Sequence, residues 1–179
     1  MTHANPTTAA SLQTMTPEDL EMVLSWRNDL NIRKFMYNSH EITADEHQQW
    51  FTRSSQDPFK HLLIFNSGQK ALGFVNFNQI RQSGVVEWGF YVAPSAPKGT
   101  GMSLRITALQ FAFTRLGFHK ICGEAIANNE RSIKFHLNAG FKKEGILRDQ
   151  HYDGSHYQDV ICFGLLAEEW QLQNGVDLA

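Results

Sequence analysis

Between Val85 and Gly101 the chain reads VVEWGFYVAPSAPKGTG. Alternating bulky residues run up to Pro94, glycines stand at 99 and 101, and the helix-forming segment MSLRITALQFAFTRL follows at once. A strand that empties into a glycine loop and a helix start aims unpaired backbone N–H groups at an anion, and the helix dipole favours negative charge there. The chemistry is phosphate binding, set against the plain alternative of an ordinary strand–helix connection made flexible by glycine. The segment lacks the Gly-Lys-Ser/Thr ending of a nucleotide P-loop, and its Gly-x-Gly lacks the third glycine of a dinucleotide fingerprint. A pyrophosphate held by backbone amides outside both nucleotide motifs is what remains.

The elements that must position this loop follow from local signals. Thr16-Pro17-Glu18-Asp19 reads as a helix start, with Leu20, Val23, Leu24 and Arg27 on one face and Asn28-Asp29 at the end. Thr43-Ala44-Asp45-Glu46 has capping-box spacing, with Ile42 as a hydrophobic staple, and opens a helix through His47 and Trp50-Phe51. Strands over 61–65 and 71–78 flank a turn at 66–69, and 85–92 is the third strand of that meander. After the loop come a helix over 102–116, a strand over 121–127, and a helix over 131–139 stopped by Gly140. A hairpin of 145–151 and 160–166 turns at Asp153-Gly154, and a short EEWQLQ tail ends the chain. One crossover, from strand 85–92 through a helix to strand 121–127, makes this an α+β fold: a mixed, mostly antiparallel sheet flanked by helices. Residues 1–14 read as a flexible tail and 15–179 as a single domain.

Composition narrows the function. The 179 residues, 42% hydrophobic and 12% aromatic, are enough for a core. A formal charge of −2 gives no basic footprint for nucleic acid or an anionic membrane. No apolar run reaches the roughly 20 residues that span a bilayer, and no secretory signal opens the chain, so the cytoplasm is the expected location. Cys122 and Cys162 read as small buried hydrophobes, and no metal-ligand pattern is present.

Two motifs carry a resemblance. The loop Ala96-Pro97-Lys98-Gly99-Thr100-Gly101 and the segment Asn129-Glu-Arg-Ser132-Ile-Lys-Phe-His136-Leu-Asn-Ala-Gly140-Phe141 resemble, in order and spacing, the signatures of the GCN5-related N-acetyltransferase superfamily. Two positions depart from the family pattern: Ala96 replaces a basic or amide residue, and His136 stands where Tyr is usual. The resemblance implies acetyl-CoA as co-substrate and central strands 85–92 and 121–127 that splay apart around its pantetheine. The amides of Tyr91 and Val92 would pair with that arm, those of Lys98, Gly99, Thr100, Gly101 and Met102 would hold the pyrophosphate, and Asn129 and Ser132 would lie near the thioester. The amine attacks the thioester directly, so no nucleophilic residue is needed. His136, in the place of the family's Tyr, is expected to protonate the leaving thiolate, and His136→Ala to lower turnover tenfold or more. The alternative is a histidine that packs on Phe141 or faces solvent. Glu87 shares a strand face with Gly89 and Tyr91 by period-two alternation and is a candidate base, directly or through water. A strand carboxylate bonded to a neighbouring Arg is the competing reading.

Acceptor specificity is expected in the N-terminal lobe. Trp26-Arg27-Asn28-Asp29 with Ile32 and Phe35-Met36 is similar to two subgroups, one acetylating protein N-termini and one acetylating nucleotide-linked amino sugars. Ser39-His40-Glu41-Ile42 and Asp45-Glu46-His47-Gln48-Gln49-Trp50-Phe51 resemble the second, which acetylates UDP-4-amino-4,6-dideoxy sugars in pseudaminic acid synthesis for flagellin glycosylation. A UDP-sugar brings its own pyrophosphate, for which Arg27, Arg33, Lys34 and His47 are available, and Trp50 or Tyr37 to stack on uracil. Tyr152 and Asp159 are weaker acceptor candidates, and Trp26 reads as a core anchor. The expected partner is therefore a small molecule, and a homodimer is compatible with it. Three rivals stand beside this: a ribosomal-type N-terminal alanine acetyltransferase, a non-catalytic acyl-CoA sensor, and a polyamine or antibiotic acetyltransferase, whose acceptors want acidic pockets.

Overall fold

The computed structural model describes residues 9–81 and 83–175. Seven strands form one sheet in the order β1-β2-β3-β4-β5-β7-β6. They are β1 (Ala10–Thr14), β2 (Lys60–Ser67), β3 (Lys70–Arg81), β4 (Val85–Val92), β5 (Lys120–Ile126), β6 (Lys142–Tyr152) and β7 (Tyr157–Leu166). Neighbours run antiparallel except β4 and β5, the pair joined by the helical crossover. Six helices flank the sheet: α1 (Leu20–Arg27), α2 (Leu30–Arg33), α3 (Ala44–Ser55), α4 (Thr100–Gln110), α5 (Glu130–Asn138) and α6 (Ala167–Asn174). A π-helical turn over Phe111–Arg115 extends α4, with Leu116 as its C-cap.

Local chemistry accounts for most of these boundaries. At α3 the Thr43 hydroxyl accepts from the Glu46 N–H at 3.2 Å, and a Glu46 carboxylate oxygen accepts from the Thr43 N–H at 2.7 Å. The two orphan donors at the helix start are thereby satisfied reciprocally, as the spacing predicts. Asn129 caps α5 with a single bond, its side chain accepting from the Ser132 N–H at 3.1 Å.

Two layers of core sandwich the sheet. Phe65, Phe77, Trp88, Leu104, Phe113 and Phe163 pack between one face and α4 to α6. Val23, Trp26, Phe51, Leu62, Ile64 and Phe74 pack on the other, under α1 and α3. Trp26 is the buried anchor the sequence suggests.

Three expectations need correcting. The tail expected over 1–14 is partly structure: Ala10–Thr14 pair with β2 from Ala10↔Ser67 to Thr14↔Leu63, while residues 1–8 lie outside the described residues. A five-residue edge strand of mostly polar residues shows no clean alternation, so only its partner reveals it. The closing EEWQLQ is helix α6, whose Trp170 is buried against Phe113. Cys122 and Cys162 are free thiols that are only half-buried, not core residues. Among the described residues no helix is long and apolar enough to cross a membrane.

Candidate active site

β4 and β5 pair only at Val85↔Lys120, Val86↔Ile121 and Glu87↔Cys122. Beyond Glu87 the two strands separate, although β4 continues to Val92 and β5 to Ile126. A cleft of about 810 Å³ opens at this parting and passes through the sheet, with Arg27, His47 and Trp50 on one side and Gly101, Asn129 and Ser132 on the other.

Backbone geometry decides which amides face the gap. Ala93 donates its N–H to Leu72 of the β3 strand at 2.8 Å. Successive residues of a strand direct their N–H groups to opposite edges, so Tyr91 also faces β3, opposite its partner Phe74. The Val92 and Phe90 amides face the opening instead. Val92 is placed as expected, whereas Tyr91 is not: it contributes its ring, 5.3 Å from that of Phe74, to the α1–α3 side.

The glycine loop is similarly specific. Gly99 caps α4 with φ 90°, a left-handed conformation in which a side chain is strained. The Thr100 N–H and hydroxyl both donate to the Pro97 carbonyl, at 3.2 and 2.8 Å, and the Met102 N–H donates to the Gly99 carbonyl at 3.0 Å. Of the five amides expected at a pyrophosphate, Lys98, Gly99 and Gly101 are the ones without a backbone partner among the described residues. The cradle is narrower than the sequence suggests, because the first helical turn tightens upon itself. Lys98 is exposed, and Ala96 packs its methyl group into the core instead of facing an anion.

His136 differs most from expectation. It is 2% exposed and its ring stacks on Phe163 at 4.8 Å. The indole of Trp88, a donor only, gives its N–H to His136 Nε2 at 3.1 Å. Nδ1 lies 2.8 Å from the Ser132 carbonyl, an acceptor only, and so carries the ring proton. Burial pushes the pKa of His136 down, against the opposing effect of the Ser132 bond. The imidazole is neutral, its single proton is committed to a carbonyl, and Nε2 has none to give. This arrangement does not supply the proton donor expected for the thiolate; His136 fixes Trp88 and the first turn of α5 at the parting of the strands. A period-based reading places His136 correctly but cannot see both nitrogens occupied.

The same burial has a consequence for stability. His47, His61 and His136 all have their pKa lowered, mainly by desolvation. A histidine held neutral in the fold but free to charge when unfolded contributes stability above its unfolded pKa of about 6.5, and loses it as pH falls below that value. Melting temperature should therefore fall steadily from pH 7 to pH 5, and His136→Asn should flatten the fall. Equal slopes in the two proteins would show that His136 is not held neutral.

On the acceptor side, Glu87 lines the cleft with no hydrogen-bond partner among the described residues. Its pKa is raised by desolvation first and by the Glu124 charge second. His47 is buried and stacks on Trp50 at 5.1 Å. Arg27 donates to the Asn38 carbonyl at 2.5 Å, while its Nη1 is buried without a partner among the described residues, as is Nε of Arg33. Desolvation lowers the pKa of Arg27, and a buried guanidinium N–H left unpaired costs about 1–3 kcal/mol unless an anion meets it. Tyr152 is not brought to the cleft: it is 53% exposed at the far end of β6, donates to the Gly154 carbonyl at 3.0 Å and packs on Tyr157. Asp159 accepts from the Asp149 N–H at 3.0 Å, holding the strand where Asp149 has φ 51°. Sequence reasoning missed Glu124, a lone carboxylate in the apolar run ICGEAI, and that isolation was the available signal. Arg53 and Arg131 also line the cleft, and nothing local marks them. Among the described residues no cluster of three metal-ligating side chains occurs.

A sheet opened along one seam, with a helix start offering free amides on one face and an exposed, partly desolvated carboxylate on the other, suits direct attack of an amine on a thioester, which needs no nucleophilic side chain. That combination defines an acyl-CoA-dependent transferase. The chain belongs to the acetyltransferase (GNAT) domain family, whose model matches residues 11–142, and it is an acetyl-CoA-dependent N-acetyltransferase. It is 28% identical to the SPbeta prophage-derived uncharacterized N-acetyltransferase YokL of Bacillus subtilis, over 92% of this chain and 94% of that protein. It is 25% identical to the spermidine N(1)-acetyltransferase of Vibrio cholerae, over 84% and 88% of the two chains. Its fold superimposes with a TM-score of 0.83 on the crystal structure of spermidine N-acetyltransferase from Vibrio cholerae in complex with CoA and spermine, covering 90% of this chain and 97% of that one at 23% identity.

Proposed function

We propose that this protein transfers an acetyl group from acetyl-CoA to the 4-amino group of a UDP-linked 4-amino-4,6-dideoxy sugar, the step that serves pseudaminic acid synthesis and flagellin glycosylation. The observation that carries the proposal is the buried, partnerless Nη1 of Arg27 on the cleft wall, with His47 and Trp50 beside it. A diphosphate meets the arginine with charge-assisted hydrogen bonds, and an aromatic wall accepts a uracil ring. The resemblance of residues 39–51 to sugar acetyltransferases supports the same acceptor.

The chemistry follows from the two faces of the cleft. On one, the Lys98, Gly99 and Gly101 amides and the α4 dipole receive the CoA pyrophosphate, and the Val92 amide pairs with the pantetheine beside Asn129 and Ser132. On the other, the sugar's ammonium group meets Glu87. Glu87 takes one proton, the freed nitrogen lone pair attacks the thioester carbonyl carbon, the C–N bond forms and the C–S bond breaks. The second nitrogen proton, lost as the amide forms, passes to the sulfur, which departs with the bond electrons as the free thiol. His136 stays neutral throughout.

A second reading, acetylation of a polyamine, is favoured by the Vibrio cholerae relative and by Glu46, Glu87 and Glu124 in the cleft. Glu46, however, is committed to capping α3 and to His40 at 3.1 Å. Arg27, Arg53 and Arg131 line the same cleft, and three guanidinium groups oppose a polycation.

Free-thiol release from acetyl-CoA, measured with UDP-4-amino sugars, spermidine and ribosomal N-terminal peptides, separates the readings. Turnover with spermidine or peptides alone overturns the sugar assignment, and CoA binding without any turnover points to a sensor. Arg27→Gln should raise the KM for the UDP-sugar about tenfold to a hundredfold while leaving the KM for acetyl-CoA unchanged. Equal KM values for the sugar in both proteins would remove Arg27 from the acceptor site.

A further inference from the structure

Glu87 and Glu124 stand on the two strands that part at the cleft. Glu87 is opposite Cys122, the last pair before the opening, and Glu124 lies two residues further along β5 on the same face. An amine that reaches the thioester through the gap passes between them. Glu124 is in turn hydrogen-bonded by the hydroxyl of Tyr37, from the segment between α2 and α3. Tyr37 is braced edge-on by His151 of β6, 5.6 Å away. This contact ties the N-terminal lobe to the central strand of the sheet across 87 residues of chain.

We propose that Glu124, held in place by the Tyr37 hydroxyl, is a positioning residue that orients the acceptor amine toward Glu87. The proposal rests on the N-acetyltransferase reading of the cleft but not on the identity of the rest of the acceptor. Partial burial, followed by the hydrogen bond to Glu124, pushes the phenol of Tyr37 well above its ordinary pKa. Tyr37 therefore remains a donor across the working range, and its bond selects one orientation of the Glu124 carboxylate. With Oε2 so engaged, Oε1 receives only the long, weak contact of the Cys162 thiol at 4.0 Å and keeps a lone pair for an N–H of an alkylammonium group. The Glu124 charge also raises the pKa of Glu87, secondary to burial. The other titratable or charged groups around the two carboxylates are Cys122 on β5, Cys162 on β7 with its sulfur 4.0 Å from Glu124, His151 beside Tyr37, and Arg131 of α5 across the cleft. Both thiols have raised pKa values, mainly through burial, and so remain neutral.

The test uses Tyr37→Phe and Glu124→Gln in the full chain, with melting curves to show that both fold. Each should raise the acceptor KM about tenfold and leave the KM for acetyl-CoA unchanged. Glu124→Gln removes a like charge, so Glu87 ionises more readily and the acidic limb of kcat/KM moves to lower pH. Tyr37→Phe keeps that charge and should leave the limb in place. A 13C carboxyl titration of Glu87 by NMR reads the same coupling with no acceptor present. If the wild-type protein turns over and both variants match it in acceptor KM and in the Glu87 midpoint, the positioning role is overturned. If the wild-type protein turns over no amine while the Glu87 midpoint still falls in Glu124→Gln, the transferase reading fails and the coupling stands.

Discussion

Glu87→Gln should lower kcat by about two orders of magnitude or more, the range lost when a positioned general base is removed. The side chain lines the cleft at the last β4–β5 pair, and glutamine preserves its shape while abolishing its basicity. Its raised pKa also sets the form of the pH profile. A base works only when ionised, so wild-type activity falls as pH drops through that raised value. The glutamine variant should lose the acidic limb as well as the rate. Steady-state kinetics from pH 5 to 9 at saturating acetyl-CoA give both readouts. A variant with unchanged kcat and the same limb would mean that water or the amine itself disposes of the proton.

Gly123→Ala should be strongly damaging for the addition of a single methyl group. A Cβ at this position would lie 2.8 Å from Cδ2 of His136 and 2.8 Å from the indole nitrogen of Trp88, and closer still to His136 Nε2. Neither ring has room to retreat: His136 is stacked on Phe163, and Trp88 on Phe141 at 5.2 Å. Overpacking and loss of the Trp88–His136 hydrogen bond together amount to about 2–4 kcal/mol. For a domain of this size that lowers the melting temperature by roughly 6–12 °C. Gly123→Ala combined with His136→Ser should recover much of the loss, since serine vacates the space the methyl needs. A melting temperature within a degree or two of wild type for the single variant would show that the ring pair moves aside.

The two variants probe opposite faces of one sheet, and this division organises the mechanism. Odd-numbered residues of β4, namely Glu87, Gly89 and Tyr91, face the acceptor side with Arg27 and His47. Even-numbered residues Trp88 and Phe90 face α5, His136 and the CoA side. Strand alternation makes that separation readable from the sequence once β4 is recognised. In this chain the aromatic neighbours Trp88, Phe135, Phe141 and Phe163 close around the imidazole and withdraw it from proton transfer.

Local rules carry far into this chain. The capping box at Thr43 and Glu46, the bounds of β4, and the Asn129 cap of α5 are all short-range features, set by residues within a few positions of one another. The sequence by itself therefore determined the α+β class and the glycine-capped helix start after β4. Tertiary structure alone decided the rest. The polar edge strand Ala10–Thr14 exists only because β2 offers it a ladder. The β6–β7 register shifts between Leu147 and His151, and no local signal within β6 marks it. The tautomer of His136 depends on Trp88, 48 residues away, and the Tyr37–Glu124 bond joins two separate lobes. These contacts join residues far apart in sequence, and no spacing rule within one element records them. Protonation and hydrogen-bond direction are properties of the packed environment, so a sequence can name the histidine while only the fold shows where its proton goes.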